Sequence, residues 1–241
     1  MRPAELAADA RILWRMLCGQ PRAGSHAERL QGFYAPQATR YDAFRARLLH
    51  GREALIADLD IPVGARVVEL GCGTGSNLAT LDRIRPLVGL AGVHLVDLCP
   101  ALLAQARRRA AGLGNVEVAE ADAASWRPPM PVQRVFLSYS LSMMPDWRAV
   151  LDNAWAMLAP GGRLGVVDFH APDSRLGKLF WGAWFGHDGV CLTDVHLPAL
   201  RARFHERFTI RSRAPIPYLP GARAHYYRFV GEKRDRHVPE P

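Results

Sequence analysis

Hydrophobic positions change their period along this chain, and the changes mark its elements. Leu6, Leu13, Met16 and Leu17 fall close to helical spacing and predict a short amphipathic helix over residues 4–18. Cys18 to Ser25, with two glycines and a proline, reads as a loop. Phe44, Leu48, Leu55 and Ile56 form the apolar stripe of a second helix, Tyr41 to Asp58, which Pro62 and Gly64 end. From Ala65 the pattern alternates. Short apolar runs at Ala65–Leu70, Val93–Asp97, Asn115–Ala119, Val132–Tyr139 and Arg163–Phe169 predict buried strands. Helical stretches follow the glycine turn after Leu70 and cover Ala101–Ala111 and Trp147–Leu158, the last closed by Pro160-Gly161-Gly162. Such alternation predicts a parallel sheet with helices on both faces. Phe208–Arg213 and Tyr226–Gly231 complete it as a terminal strand pair around a loop at Pro215–Pro220. There is no internal repeat, low-complexity tract or linker.

Composition narrows the class. A chain of 241 residues, 49% of them hydrophobic, is long enough for one substantial core. No run of about eighteen apolar residues occurs, so no spanning helix is expected. The N-terminal stretch mixes acids and arginines with its leucines and is not expected to act as a secretory leader. Cys18, Cys72, Cys99 and Cys191 form no CxxC pair, which argues against structural zinc or a disulfide framework and for a reduced, cytoplasmic protein. The net charge of +8 comes almost wholly from arginine, since Lys178 and Lys233 are the only lysines. It reads either as arginine- and alanine-rich composition or as steering toward an anionic surface, lipid or nucleic acid.

The chemistry centres on Glu69-Leu-Gly71-Cys-Gly73-Thr-Gly75, which follows a strand and opens a helix. Glycines there let the backbone turn sharply and approach a ligand without a Cβ in the way. The GxGxG spacing departs from the GxGxxG of dinucleotide sites. Asp97 ends the second strand, 28 positions after Glu69 rather than roughly twenty. A carboxylate there can accept from both hydroxyls of a ribose. Asp122 ends the third strand and can accept from an adenine amino group.

Together ELGCGTG, VDL, EADA and the late PGG resemble the class I S-adenosylmethionine-dependent methyltransferases over roughly residues 40–231. That resemblance implies a Rossmann-like α/β fold: a seven-stranded, mostly parallel sheet with helices on both faces and an antiparallel last strand. It implies S-adenosylmethionine as cofactor, bound by Tyr41, Arg52, Glu69, Gly71, Gly73, Gly75, Asp97, Leu98, Asp122, Ala123 and Ser138, with no metal. The chain then divides into an N-terminal helical extension and site cap (1–60), the methyltransferase domain (61–233) and a charged, proline-bearing tail (234–241).

Gln37-Ala-Thr-Arg-Tyr41-Asp42 with Arg45, Leu48-Leu-His-Gly51-Arg52-Glu53, Ser138-Tyr-Ser-Leu-Ser-Met-Met-Pro-Asp-Trp147, Val166-Val-Asp168-Phe169 and Tyr226-Tyr-Arg-Phe-Val-Gly231 are similar to a narrower family. This is the bacterial N-methyltransferase of betaine-lipid synthesis, which converts diacylglyceryl-homoserine to its trimethylated form. Residues 1–30 depart from it. The resemblance implies a lipid amine substrate at an anionic membrane surface, with the enzyme that makes diacylglyceryl-homoserine as a partner. No Asn/Asp-Pro-Pro-aromatic element follows the fourth strand, which argues against a nucleic-acid base as acceptor. A soluble amine, a quinone-like ring, or cofactor binding without turnover remain the alternatives.

Repeated methylation ends in a fixed cation, which an aromatic face continues to attract after its hydrogens are gone. Tyr139 is the expected catalytic residue on that ground, with Tyr34, Tyr41, Trp147 and Tyr226 behind it. His170, His187 and Asp188 can relay a proton or serve only structure. The aromatic stretch Leu179–Phe185, preceded by Arg175 and Lys178, reads as a core helix or as an interfacial contact. The same holds for the N-terminal helix with Arg2, Arg11 and Arg15.

Overall fold

A computed structural model describes residues 24–35, 47–172, 190, 192–216 and 221–233. The first helix, α1 (His26–Tyr34), was not expected, because the chain before it reads as loop. It starts at a capping box: Ser25 Oγ accepts from Glu28 N at 3.3 Å and Glu28 Oε2 accepts from Ser25 N at 2.6 Å.

The next helix, α2 (Arg52–Asp58), corrects the expected Tyr41–Asp58 helix. Gly51 interrupts it at φ +80°, where a Cβ would lie 2.9 Å from the Tyr226 ring. Residues 41–46 lie outside the described part, as do the 4–18 helix, the 179–185 stretch, His187, Asp188 and the tail.

Five parallel strands follow as expected: β1 (Arg66–Leu70), β2 (Gly92–Asp97), β3 (Val116–Glu120), β4 (Val132–Ser138) and β5 (Leu158–Phe169). Between them run α3 (Leu78–Ile84), α4 (Pro100–Ala110) and α5 (Trp147–Met157). β5 begins earlier than the glycine pair implied, because Leu158 pairs with Val132. A helix absent from the sequence reading, α6 (His196–Arg203), leads into β6 (Phe204–Pro215) and β7 (Arg223–Lys233). These two strands extend the expected pair at both ends.

The sheet has seven strands in the order β3-β2-β1-β4-β5-β7-β6, and β7 runs antiparallel to both neighbours. The mostly parallel sheet expected from the motifs is therefore present. Buried β1 and β4 read as near-continuous apolar runs because helices cover both faces. One core layer gathers Leu55, Ile56, Leu59, Leu81, Leu95 and Leu103, the other Val135, Leu137, Leu151, Leu200, Tyr227 and Phe229.

Chain order reverses between β1 and β4, which opens a crevice at the carboxyl ends of the strands. On the opposite side of the sheet, a Cβ on Gly231 would fall 2.6 Å from Phe204 Cβ and 2.7 Å from the Phe229 ring. Gly231→Ala should therefore lower stability by about 1–3 kcal/mol through overpacking. Urea unfolding checks this, and an unchanged midpoint would show that β6 and β7 are not packed as described.

Candidate functional site

The crevice holds a cavity of about 390 Å3, within the roughly 300–1,000 Å3 range of small-molecule sites. Its floor is the glycine turn. Gly71, Gly73 and Gly75 take φ of +74°, +56° and +68°, a region costly for residues with a Cβ. At Gly71 a Cβ would lie 2.4 Å from Ser140 Cβ. Gly71 and Gly73 line the cavity, while Gly75 packs against Ala106 of α4.

Asp97 stands at the end of β2 and reaches both ways. Its Oδ2 accepts from Gly73 N at 2.7 Å and its Oδ1 from Cys99 N at 2.9 Å. Leu98 lines the cavity beside it. Asp122 lies two residues past the end of β3, and its Oδ1 accepts from Ala124 N at 2.8 Å. Ala123 is buried in the same wall. Asp97, Leu98, Asp122, Ala123, Gly71, Gly73 and Tyr139 thus come together around one cavity.

Other expected site residues stand behind that wall. Glu69 is buried under the turn, accepting from Asn77 Nδ2 at 2.7 Å. Arg52 donates to Leu49 O at 3.2 Å and to Ser76 Oγ at 3.3 Å, which ties α2 to the turn. Ser138 is buried at the end of β4, and its Oγ has no hydrogen-bond partner among the described residues. Tyr41 lies outside the described residues.

Tyr139 has φ +55°, and its ring sits edge-on to Phe169 with centroids 4.7 Å apart. Its hydroxyl donates to His50 O at 2.7 Å. Tyr139 lines the cavity, and its hydroxyl is committed to holding the segment before α2. Of the other aromatic candidates, Tyr34 lines the cavity and donates to Met143 Sδ at 3.4 Å. Trp147 instead packs edge-on against His196, and His170 is buried near Tyr227. Tyr226 packs against the core beside Gly51.

The sequence reading missed the roof, which α1 supplies. Ser25, His26, Ala27, Leu30 and Tyr34 all face the cavity. Gln31 Oε1 accepts from Ala101 N at 3.0 Å and latches α1 onto the first turn of α4. Burial, with Arg29 nearby, holds His26 below the usual imidazole range, against the opposing pull of Asp122 and Asp97. The Ser-x-x-Glu box at Ser25–Glu28 was the available signal for this helix. Ser140 was missed for another reason. Its contact with Gly71 and its 2.9 Å bond to Leu70 O exist only once β1 and β4 are adjacent.

Comparisons with known proteins agree with this geometry. A family model described as a methyltransferase domain matches residues 67–162. A trans-aconitate 2-methyltransferase of Klebsiella pneumoniae (strain 342) is 36% identical over 126 residues, 52% of this chain and 46% of the relative. A trans-aconitate 2-methyltransferase of Azoarcus sp. (strain BH72) is 32% identical over 60% of this chain and 56% of its own length. The chain thus spans about half the length of these curated relatives.

Among solved structures, the [4+2]-cyclase SpnF superposes with TM-score 0.68 at 18% identity, covering 89% of this chain and 98% of that one. The N-methyltransferase NodS of Bradyrhizobium japonicum WM9, in complex with S-adenosyl-L-homocysteine, gives 0.65 at 15% identity over 85% and 98%. Residues 67–162 match a methyltransferase domain, and the described residues have the class I methyltransferase fold of these solved structures. The cavity fits the cofactor of that class, S-adenosylmethionine: a left-handed glycine turn at its floor, and a carboxylate at or just past the end of each of two neighbouring strands.

A second carboxylate shapes the wall from behind. Asp168, fully buried at the end of β5, accepts from Ser142 N at 2.8 Å, Ser142 Oγ at 2.6 Å and Phe169 N at 2.7 Å. It thereby fixes the short turn Leu141–Met143, and Met143 of that turn lines the cavity with its neighbours Ser140 and Met144. Burial raises its pKa to about 6, outweighing these donors, which pull it down. A folded-state pKa above the unfolded value of 3.8 means that the neutral form is favoured on folding. Its contribution to stability is present below about pH 4 and is lost as pH rises toward 6. The stability of the protein relative to Asp168→Asn should therefore fall between pH 4 and 6 and then level off. Urea unfolding of both proteins across that range checks this, and a rise in the same window would contradict it.

Proposed function

We propose that the whole protein is an S-adenosylmethionine-dependent N-methyltransferase, and that its acceptor is the amine of diacylglyceryl-homoserine, methylated three times. The observation that carries the amine reading is the cavity's charge. Among the described residues its wall holds no lysine or arginine, one histidine, and one carboxylate, Asp146, beyond the Asp97 and Asp122 that hold the nucleoside. That wall attracts an ammonium and offers no cation to a polycarboxylate such as aconitate. The lipid reading is supported by the apolar share of the lining, with Leu30, Leu102, Met143, Met144 and Val150. The net charge of +8 supports an anionic membrane surface as its place of work. Among the described residues no helix is long and apolar enough to cross a membrane.

When bound, S-adenosylmethionine supplies a methyl group on a sulfonium, an electrophile that an unprotonated amine attacks in line. The chain's part is alignment, which in such reactions contributes about 7–11 kcal/mol. In this reading Asp97 and Asp122 hold the nucleoside, Gly71 and Gly73 admit the methionyl end, and α1 with Leu30 and Tyr34 excludes water. Desolvation and a neighbouring cation lower the amine's pKa, so no strong base is required. The Tyr139 ring faces the nitrogen and attracts it in each methylation state.

Purified protein with methyl-labelled S-adenosylmethionine should methylate diacylglyceryl-homoserine in mixed micelles, giving mono-, di- and trimethylated lipid by mass spectrometry. Tyr139→Phe should keep most of this activity at a stability cost of about 1 kcal/mol, because the ring stays while the bond to His50 O is lost. Tyr139→Ala should accumulate partly methylated lipid. Methylation of trans-aconitate without methylation of the lipid would overturn the amine reading. Methylation of only soluble amines would overturn the lipid.

A further inference from the structure

The turn after β3 carries Asp122 and Ala123 into the cavity wall, and an amide from a helix distant in sequence holds that turn. Asn153, buried on α5, donates from Nδ2 to Ala123 O at 2.9 Å and to Trp126 O at 2.7 Å. Its Oδ1 accepts from Arg127 Nε at 2.8 Å. Both amide hydrogens are therefore used. The orientation of the amide is fixed as well, because reversing it would turn its oxygen toward two carbonyls and its nitrogen toward a guanidinium.

The two carbonyls that Asn153 holds belong to the immediate partners of Asp122. Ala123 follows Asp122 in the chain, and Trp126 N donates to Asp122 O at 2.8 Å. Asp122 Oδ1 accepts from Ala124 N at 2.8 Å within the same turn. The Trp126 ring rests near the His94 ring of β2, with centroids 5.4 Å apart. The helix that supplies the amide belongs to the same wall. Val150, three residues before Asn153, lines the cavity, while Leu151, Ala154 and Met157 anchor α5 in the core.

We propose that Asn153 is a positioning residue for base recognition: by fixing the turn from α5, it holds the Asp122 carboxylate where it accepts from the exocyclic amine of adenine. It thereby sets the preference of the cofactor site for an amino over an oxo purine. Without the Asn153 amide, Ala123 O and Trp126 O lose their donor and must shift toward water to regain one. Asp122 would shift with them, because the bonds around it are internal to the turn. A carboxylate discriminates between bases only from a fixed place. At hydrogen-bond distance it attracts an amine and repels a carbonyl oxygen, and both effects fade as it moves away. This role for Asn153 rests on Asp122 being the adenine acceptor.

Calorimetry with two probes tests it: S-adenosylhomocysteine, and S-inosylhomocysteine, which carries an oxo group in place of the exocyclic amine. Wild type should prefer the adenine compound by about tenfold or more, and Asp122→Ala should lose that preference. Asn153→Ala should cut the affinity ratio about fivefold, the factor that one hydrogen bond contributes. Arg127→Ala, at an exposed position, frees the amide to turn and should lower the ratio in the same direction. It carries the test if Asn153→Ala does not fold. Ala154→Gly loosens α5 without touching the turn and should keep the wild-type ratio.

An unchanged ratio in Asn153→Ala, or in Arg127→Ala should the former not fold, would overturn the positioning role while its loss in Asp122→Ala leaves the adenine acceptor in place. An unchanged ratio in Asp122→Ala, or no preference in wild type, would remove Asp122 as the acceptor and the role of Asn153 with it. An equal loss in Ala154→Gly would reduce the effect to a loosened helix and overturn the role as well.

Discussion

The Asp97 carboxylate joins the glycine turn to the start of α4. One oxygen accepts from Gly73 N and the other from Cys99 N, so two strand ends are held at a fixed separation around the cavity. Charge-assisted hydrogen bonds of this kind are shorter and about twice as strong as neutral ones. The rest of the site is arranged around that brace. Glu69 and Asn77 support the turn from below, Gly75 lets α4 close on it, and Gln31 brings α1 onto the same helix end. Moving Asp97 would shift the floor and the α4 side of the cavity together.

The opposite wall follows a similar rule with less solvent. Asp168 fixes the turn after β4 through Ser142, while Tyr139 fixes the segment before α2 through His50. The ionised Asp168 is costly to bury, and its raised pKa is the measure of that cost. Polar braces that set cavity walls commonly cost stability, and here two of them flank one wall of the cavity. The positive φ of Tyr139 belongs to the same compromise, since a side chain in that region is strained.

Much of the sheet was legible because buried parallel strands print as short apolar runs, and the glycine turn because its residues are chemically irreplaceable there. Asp97 and Asp122 were legible as acids at successive strand ends. The roof was not. Pro21 and Gly24 made the chain before His26 look like loop, and the capping box that starts α1 was overlooked. The Tyr41–Asp58 helix was drawn without a break because its apolar stripe continues across Gly51, whose backbone is left-handed and where a Cβ would meet the Tyr226 ring. α6 escaped because His196-Leu-Pro198 opens it without helical periodicity. Which arginines are paired depends on neighbours distant in sequence, such as Asp58 for Arg228.

The fold by itself does not select a reaction, as its likeness to a [4+2]-cyclase illustrates. The account depends first on the cavity being a nucleoside site braced and read by Asp97. Isothermal titration of S-adenosylmethionine into wild type and Asp97→Ala tests this most directly, with far-ultraviolet circular dichroism to show that both are folded. Hydrogen bonds to a charged group contribute about 1.5–3 kcal/mol each, so the account predicts affinity at least tenfold weaker in the variant. Equal affinities, or no binding by wild type, would contradict it.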